Sequence, residues 1–184
     1  MTTTGAANIP RVNWMTSEPI TVATYIFDAY TYSGPGFTTP LLAFFTYRND
    51  LVAANTGVRF FFASNGSIRV EDGGAFVTAS NQWTHNTVNH VEVTVYEDQT
   101  YSLTINGVTV SYIVNEEEKT RFSFQTTDSM FAATYFQFSI ADSGNSKSRV
   151  FVDNIQIIPE PGTSLLLGAA FLFGFTIRRK RSLA

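Results

Sequence analysis

Acidic side chains are the first candidates for chemistry in this 184-residue chain. Hydrolysis of a glycosidic bond needs two carboxyl groups roughly 5 to 10 Å apart, on either side of a sugar. The close acidic pairs, Glu71-Asp72 and Glu97-Asp98, are adjacent in sequence and lie at the edges of predicted turns. Because neighbouring strand residues point to opposite faces of a sheet, neither pair is expected to form a catalytic dyad.

Cysteine and histidine, which often act as nucleophiles or metal ligands, are scarce in this chain. The chain has no cysteine and two histidines, His85 and His90, which excludes disulfides, thiolate chemistry and a three-histidine metal site. Asp153 and Asn154 supply one carboxylate and one amide, too few oxygen ligands for a calcium site. We therefore predict no catalytic residue, no metal site and no cofactor, and we expect both histidines on the surface or in loops.

An aromatic residue among amides is the best candidate for a binding site. Trp83 lies beside Asn81, Gln82 and Asn86, and a sugar is bound by an apolar ring together with a few well-placed polar groups. These four residues are the predicted glycan-binding residues, and packing of Trp83 in the core or at a strand edge is the alternative. Further aromatic platforms could come from Trp14, Tyr30, Tyr32 and Tyr47.

Short strands must position these residues. Aromatic residues make up 15% of the chain, alternation such as Val91, Val93 and Val95 has the period of a strand, and Asn65-Gly66 and Asn106-Gly107 predict tight hairpins. No stretch before Pro159 has helical periodicity. We predict an all-β antiparallel β-sandwich over residues 20–158, after an N-terminal segment at 1–19, with an exposed loop at Glu116-Glu117-Glu118. The predicted strands cover residues 20–30, 41–47, 58–63, 67–71, 75–79, 88–97, 101–105, 108–114, 122–124, 132–140 and 150–158.

The central part of the chain resembles the concanavalin-A-like and laminin-G-like jelly rolls. Trp83 precedes a long strand, and the run Tyr101-Ser102-Leu103-Thr104-Ile105-Asn106-Gly107 is similar to the hairpin that follows in those domains. The resemblance implies a jelly roll, a fold that serves lectins, lyases, hydrolases and structural modules alike. Tyr135-Phe136-Gln137-Phe138 is distantly similar to a strand of jelly-roll alginate lyases, but the R-x-E-x-R and Q-I/V-H strands of those enzymes do not occur here.

The C-terminal tail has a different composition. Pro159, Glu160 and Pro161 cannot continue a strand, and residues 162–177 contain no charge. As a helix this segment would extend about 24 Å at roughly 1.5 Å per residue, so it predicts a short transmembrane helix. The basic residues that follow stop the helix and remain cytoplasmic, which puts the β-sandwich on the other side of the membrane. They are Arg178, Arg179, Lys180 and Arg181.

This order of P-E-P, apolar helix and basic end resembles the PEP-CTERM sorting signal of Gram-negative bacteria. The resemblance implies recognition by an exosortase-type membrane protease, processing near Pro159, Glu160 and Pro161, a passage through the inner membrane, and delivery to the cell surface or the extracellular matrix. Residues 1–10 do not have the pattern of a signal peptide. We therefore expect the natural start of the protein to lie further upstream.

The net charge of the chain limits the classes of molecule that it can bind. Without the basic run at 178–181, eight Lys and Arg stand against fifteen Asp and Glu, a net charge of −7, which disfavours nucleic acid as a partner. We expect an exported, non-catalytic β-sandwich that binds a glycan or exopolysaccharide in the cell envelope. The alternatives are a structural or adhesive envelope module without a sugar ligand, or a polysaccharide lyase or hydrolase on the same fold.

Overall fold

The computed structural model describes residues 11–33, 41–47, 56–125, 132–141 and 149–159. These residues form two antiparallel sheets around an aromatic core, which confirms the predicted all-β sandwich. The tail helix expected at 162–177 lies outside the described residues.

The first sheet has the strand order β1-β13-β3-β4-β5-β6, and the second has the order β12-β8-β7-β2-β14, with β9 paired to β8. A separate hairpin joins β10 to β11. In chain order the strands are β1 (Arg11–Ile20), β2 (Ala23–Thr31), β3 (Leu41–Tyr47), β4 (Thr56–Phe62), β5 (Ser67–Asp72), β6 (Ala75–Gln82), β7 (Val88–Val95), β8 (Thr100–Ile105), β9 (Val108–Thr109), β10 (Tyr112–Val114), β11 (Glu117–Lys119), β12 (Phe122–Ser123), β13 (Ala133–Ala141) and β14 (Val150–Pro159).

Alternation of side chains builds the core. In β2 the residues Ala23, Tyr25, Phe27, Ala29 and Thr31 are buried, and those between them are partly exposed. The ring of Phe27 lies 4.8 Å from that of Phe138 and 5.5 Å from that of Phe44, measured between centroids. Truncation of such a buried ring to alanine costs about 3–5 kcal/mol. The phenylalanines of both sheets therefore hold the sandwich together.

The sandwich begins earlier than we predicted. The sequence placed residues 1–19 before the domain, but β1 pairs with β13 from Arg11↔Ser139 to Ile20↔Ala133. The ring of Trp14 stacks on that of Phe136 at 5.1 Å. An irregular register after Met15 and the proline at 19 hide the strand period in this segment.

The region from 108 to 119 also differs from the prediction. The strand expected at 108–114 is divided into β9 and β10. The acidic loop expected at 116–118 contributes Glu117 and Glu118 to β11, although both residues are exposed as predicted. Asn115 and Glu116 form the turn of this hairpin with φ angles of 51° and 67°.

Two glycines close the hairpins that the sequence predicted. Gly107 has a φ of 79° and follows Asn106 at 52° between β8 and β9, the backbone of a tight hairpin turn. Gly66 has a φ of 82°, and an added Cβ would lie 3.1 Å from the carbonyl oxygen of Trp83. Glycine at this position therefore avoids both the strain of a positive φ and crowding against the Trp83 backbone.

Candidate functional site

Trp83 lies in the core. The residue is 3% exposed, its ring stacks on Phe62 with centroids 3.7 Å apart, and its Nε1 donates to Oγ1 of Thr31 at 2.8 Å. Its ring offers no open face on which a sugar could stack. Trp83 is therefore a packing residue of the core, which was the alternative to a glycan-binding role.

Two of the three amides beside Trp83 hold neighbouring segments together. Asn81 accepts from the backbone N–H of Ser111 at 2.8 Å, and its amide donates to the carbonyl of Thr109 at 3.2 Å. Asn86 accepts from the N–H of Ser33 at 2.8 Å and donates to the carbonyl of the same residue at 2.7 Å. Gln82 is exposed at the end of β6.

The two histidines have different surroundings. His85 lies in the connection between β6 and β7, and its Nδ1 is 2.7 Å from Oγ1 of Thr31. Burial lowers the pKa of His85, against a smaller opposing effect of a hydrogen bond with the Ser64 backbone. His90 is exposed on β7, and its Nδ1 donates to Oδ1 of Asp28 at 2.8 Å. Hydrogen bonding to Asp28 raises the pKa of His90 above its usual range.

The outer face of the first sheet carries a group of charged and aromatic side chains. In β4 the buried residues Val58, Phe60 and Phe62 face the core, so Arg59 and Phe61 point outward. In β5 the buried residues Ile68 and Val70 face the core, and Glu71 lies opposite Phe76 of β6. We call these outward residues the arginine patch: Arg59, Phe61, Arg69, Glu71 and Phe76.

Cation–aromatic contacts organise the arginine patch. The guanidinium of Arg59 lies 4.6 Å from the ring centroid of Phe76 and 5.5 Å from that of Phe61. The guanidinium of Arg69 lies 5.5 Å from the ring centroid of Phe76. The ring centroids of Phe61 and Phe76 are 4.8 Å apart. Both rings are partly exposed. Stacked guanidinium and phenyl groups keep apolar faces and N–H donors at fixed relative positions.

A buried carboxylate completes the arginine patch. Nη1 of Arg59 lies 3.5 Å from Oε2 of Glu71, and Glu71 is 1% exposed. Burial raises the pKa of Glu71, and the charge and hydrogen bonding of Arg59 oppose that shift. The buried Glu71 carboxylate therefore holds the Arg59 guanidinium in place through the ion pair. Arg69 is exposed and provides guanidinium donors at the surface.

Amides continue this surface toward β1. Nε2 of Gln137 on β13 donates to Oδ1 of Asn13 on β1 at 2.5 Å, and Asn13 is exposed. Phe61 and Tyr135 pack over Ala43 on the same outer face. Gln137 is buried, so the face combines aromatic rings, guanidinium donors and the exposed amide of Asn13, groups of the kinds that bind the apolar and hydroxyl parts of a sugar.

The sequence contains a signal for the arginine patch, and our interpretation missed it. Alternation in β4 puts Arg59 and Phe61 on the face opposite to three buried residues, but that pattern alone does not reveal which residues of β5 and β6 lie beside them. Within the described part of the chain, no three His, Cys, Asp or Glu side chains are grouped so that they could hold a metal ion.

Solved structures similar to this chain share its fold. A tetrameric galectin from the ball sponge Cinachyrella sp. has a TM-score of 0.56 at 11% identity, over 81% of this chain and 99% of that chain. A galectin from Caenorhabditis elegans has a TM-score of 0.51 at 11% identity, over 82% and 92% of the two chains. A sialidase has a TM-score of 0.61 at 11% identity, over 82% of this chain but only 14% of its own.

Sequence comparison identifies the tail. No curated protein matches the chain, whereas the family model of the PEP-CTERM protein-sorting motif matches residues 158–181. None of the residues that the structure describes forms a helix of the length and hydrophobicity needed to cross a bilayer. The chain thus carries a PEP-CTERM protein-sorting motif behind a jelly-roll β-sandwich with the fold of the galectins.

Proposed function

We propose that this protein is exported to the cell envelope by its sorting motif, and that its β-sandwich binds a polysaccharide there without catalysis. The observation that carries the binding proposal is the arginine patch, where Arg59 and Arg69 contact the ring of Phe76 at 4.6 and 5.5 Å. A partly exposed ring can pack on the C–H face of a sugar while the guanidinium groups donate to its hydroxyl oxygens.

Binding fits the fold better than catalysis. The two galectin structures match this chain over nearly their whole length, whereas the sialidase match corresponds to 14% of that enzyme's chain. In the arginine patch, Glu71 is the acidic member and is buried against Arg59, so the patch itself provides no second carboxyl group for general acid and base chemistry.

The sorting motif at residues 158–181 supports the proposal of export. In this proposal an exosortase-type membrane protease recognises Pro159, Glu160 and Pro161, residues 162–177 cross the inner membrane, and the basic run Arg178, Arg179, Lys180 and Arg181 stays in the cytoplasm. The β-sandwich then passes to the cell surface or the extracellular matrix.

The intact mass of the protein in each fraction of its native host tests export. We expect an envelope or secreted form that ends near Pro159 to Pro161. A full-length form that is confined to the inner membrane would contradict processing and would leave the tail as a permanent anchor.

Affinity electrophoresis tests binding, with extracellular polysaccharide purified from the native host as the probe. We expect Arg69→Ala and Phe76→Ala each to weaken retardation about tenfold, or about 1.4 kcal/mol. Arg121→Ala is the matched control, because Arg121 lies 3.8 Å from the ring centroid of Tyr96, away from the arginine patch.

Three results would count against this proposal. Equal retardation of all three variants would remove the arginine patch from the binding surface. Normal surface assembly without retardation of the parent protein would favour a structural or adhesive module. New reducing or unsaturated sugar ends in the polysaccharide would establish an enzyme.

A further inference from the structure

A pocket opens on the outer face of the second sheet, where β14 pairs with β2. Its volume is about 400 Å³, and its wall includes Asp28, Tyr30, Val88, Phe151, Asp153 and Asn154. We call it the second-sheet pocket. It lies on the other sheet from the arginine patch and shares no residue with it. A cavity of this size accommodates one or two sugar rings.

Aromatic surface is available in the second-sheet pocket. Phe151 lies opposite Tyr30 in the β14–β2 ladder, with ring centroids 6.0 Å apart at an angle of 60°. Phe151 is 61% exposed and Val88 is 65% exposed. Apolar and aromatic side chains that line a pocket beside a few polar groups offer contact surface to a ligand.

Two carboxylates face each other across the same ladder. Asp28 and Asp153 are direct cross-strand partners, an arrangement of like charges that destabilises a sheet unless a cation or a donor compensates it. Asp28 is compensated, because His90 donates to its Oδ1 at 2.8 Å and the amide of Asn154 donates to its Oδ2 at 2.5 Å. Asp153 remains exposed at the wall of the pocket.

A β-bulge produces this arrangement. The register of β14 against β2 shifts between Asp153 and Gln156, and Asn154 has a φ of 52°. Oδ1 of Asp153 accepts from the N–H of Asn154 at 2.8 Å. The bulge thereby directs the amide of Asn154 onto Asp28, a local irregularity of the kind that often lies beside binding sites.

The carboxylates and aromatic rings that line the second-sheet pocket determine which kind of ligand it can bind. Carboxylates accept hydrogen bonds but cannot donate them, and ammonium donors make the stronger, charge-assisted bonds to them. Aromatic faces also attract an ammonium group. No lining residue of the pocket is basic. His90 pairs with Asp28, so the exposed Asp153 is the carboxylate that a ligand meets, and an acidic sugar would meet like charge there. A protonated amine on a sugar ring satisfies both Asp153 and the aromatic rings.

We propose that the second-sheet pocket is a separate saccharide site that takes an amino sugar with a free, protonated amine. The ammonium group pairs with Asp153, the carboxylate that is exposed at the wall, and the sugar ring packs on Phe151. This site would give the protein a second contact with a polysaccharide, independent of the arginine patch.

Isothermal titration of the full-length chain in detergent, at about pH 6, tests this site. The probe is a glucosamine tetramer, and the N-acetylglucosamine tetramer is its uncharged counterpart. We expect the glucosamine tetramer to bind at least tenfold more tightly than the acetylated one. Asp153→Asn and Phe151→Ala should each weaken glucosamine binding about tenfold, since both side chains are exposed and their replacement leaves the core intact.

Matched variants separate this site from general attraction of a cation to an acidic domain. Glu97→Gln removes an exposed carboxylate elsewhere, and Phe76→Ala removes a ring of the arginine patch; both should retain binding. Equal affinity for the two tetramers would overturn the proposal, and so would an equal loss in Asp153→Asn and Glu97→Gln. If Phe76→Ala abolishes polysaccharide binding but leaves glucosamine binding, both sites exist as described.

Discussion

The hydroxyl group of Tyr101 lies 2.8 Å from the backbone carbonyl oxygen of Glu71. Tyr101 belongs to the second sheet and is 0% exposed, and the same hydroxyl lies 2.8 Å from the carbonyl oxygen of Arg59. One tyrosine therefore ties together, from inside the sandwich, the two strands that carry the ion pair of the arginine patch. Burial raises the pKa of Tyr101 well above its usual value, so the hydroxyl keeps its proton.

Replacement of Tyr101 by phenylalanine should destabilise the protein and disturb the arginine patch. Loss of the buried hydroxyl leaves carbonyl groups without their donor, at a cost of about 1–3 kcal/mol. Urea unfolding measures this change. Tyr96→Phe is the control, because its hydroxyl bonds to Ser102 at 3.0 Å in a part-buried position, and a smaller loss is expected. Equal losses would show that the two carbonyls do not need Tyr101.

Replacement of Trp83 by alanine should act on folding rather than on binding. Removal of a buried tryptophan costs about 3–5 kcal/mol. Trp83→Phe retains much of the contact with Phe62 but removes the donor to Thr31, so we expect a smaller loss of about 1–3 kcal/mol. Thermal unfolding separates the two variants. A stable Trp83→Ala protein that has lost polysaccharide binding would contradict this assignment.

The Asp72 network should make stability depend on acid pH. Oδ2 of Asp72 accepts from Nζ of Lys119 at 2.6 Å and from the Tyr112 hydroxyl, and Oδ1 accepts from the N–H of Ser123 at 2.8 Å. Burial acts to raise the pKa of Asp72, but these hydrogen bonds and the charge of Lys119 together lower it. The carboxylate therefore stabilises the fold above its unfolded pKa of about 3.9, and this contribution is lost as the pH falls through the lowered folded value.

Asp72→Asn provides the comparison for that pH dependence. At pH 6 the variant should unfold at lower urea concentration than the parent, and the difference should shrink as the pH falls below about 4. A difference that stays constant down to pH 2 would show that the loss comes from altered packing and not from the charge of Asp72.

The two histidines should titrate on opposite sides of the ordinary histidine pKa of about 6.5. Hydrogen bonding to Asp28 raises the pKa of His90, and burial lowers that of His85. NMR titration of the imidazole signals resolves both residues in one sample. Asp28→Asn should lower the pKa of His90 and leave His85 unchanged, and a shift of both would point to a change of the whole fold.

The raised pKa of His90 determines how its contact with Asp28 changes the stability of the fold with pH. The His90–Asp28 contact stabilises the folded state fully below about pH 6.5, and this contribution fades as the pH rises through the folded pKa of His90. The lower limit is set by Asp28, whose pKa is lowered by its hydrogen bonds to Asn154 and His90. The charged groups that surround this contact are Glu92, whose Oε1 lies 3.3 Å from Nε2 of His90, and Asp153.

Local patterns predicted most strands of this fold. β7 and β8 alternate cleanly, and Asn106-Gly107 has the backbone angles that its sequence favours. β1 was missed because its partner β13 follows more than a hundred residues later, as in the contact of Thr16 with Thr134. An edge strand with a proline and an irregular register depends on that partner more than on its own pattern.

The binding residues were harder to predict for a related reason. Trp83 looked like a surface platform because amides surround it in sequence, but its Nε1 finds its acceptor at Thr31, 52 residues away. The arginine patch takes residues from β4, β5 and β6, and the second-sheet pocket joins β2 to β14. Composition and spacing identify each residue type, but only strand order places them side by side.

The position of β14 has a mechanical consequence. Its last ladder pair joins Pro159 to Ala23, and Pro159 is also the first residue of the P-E-P sequence, so no spacer separates the sheet from the sorting motif. A tensile force on the tail would enter β14 at that end and peel it from β2 one pair at a time. After Ile158, Ile157 and Gln156 the separation reaches the bulge at Asn154, where Asp28 loses its amide donor. Before the tail is processed, tension on it would therefore break the core contact of Ile157 first and then disrupt the second-sheet pocket.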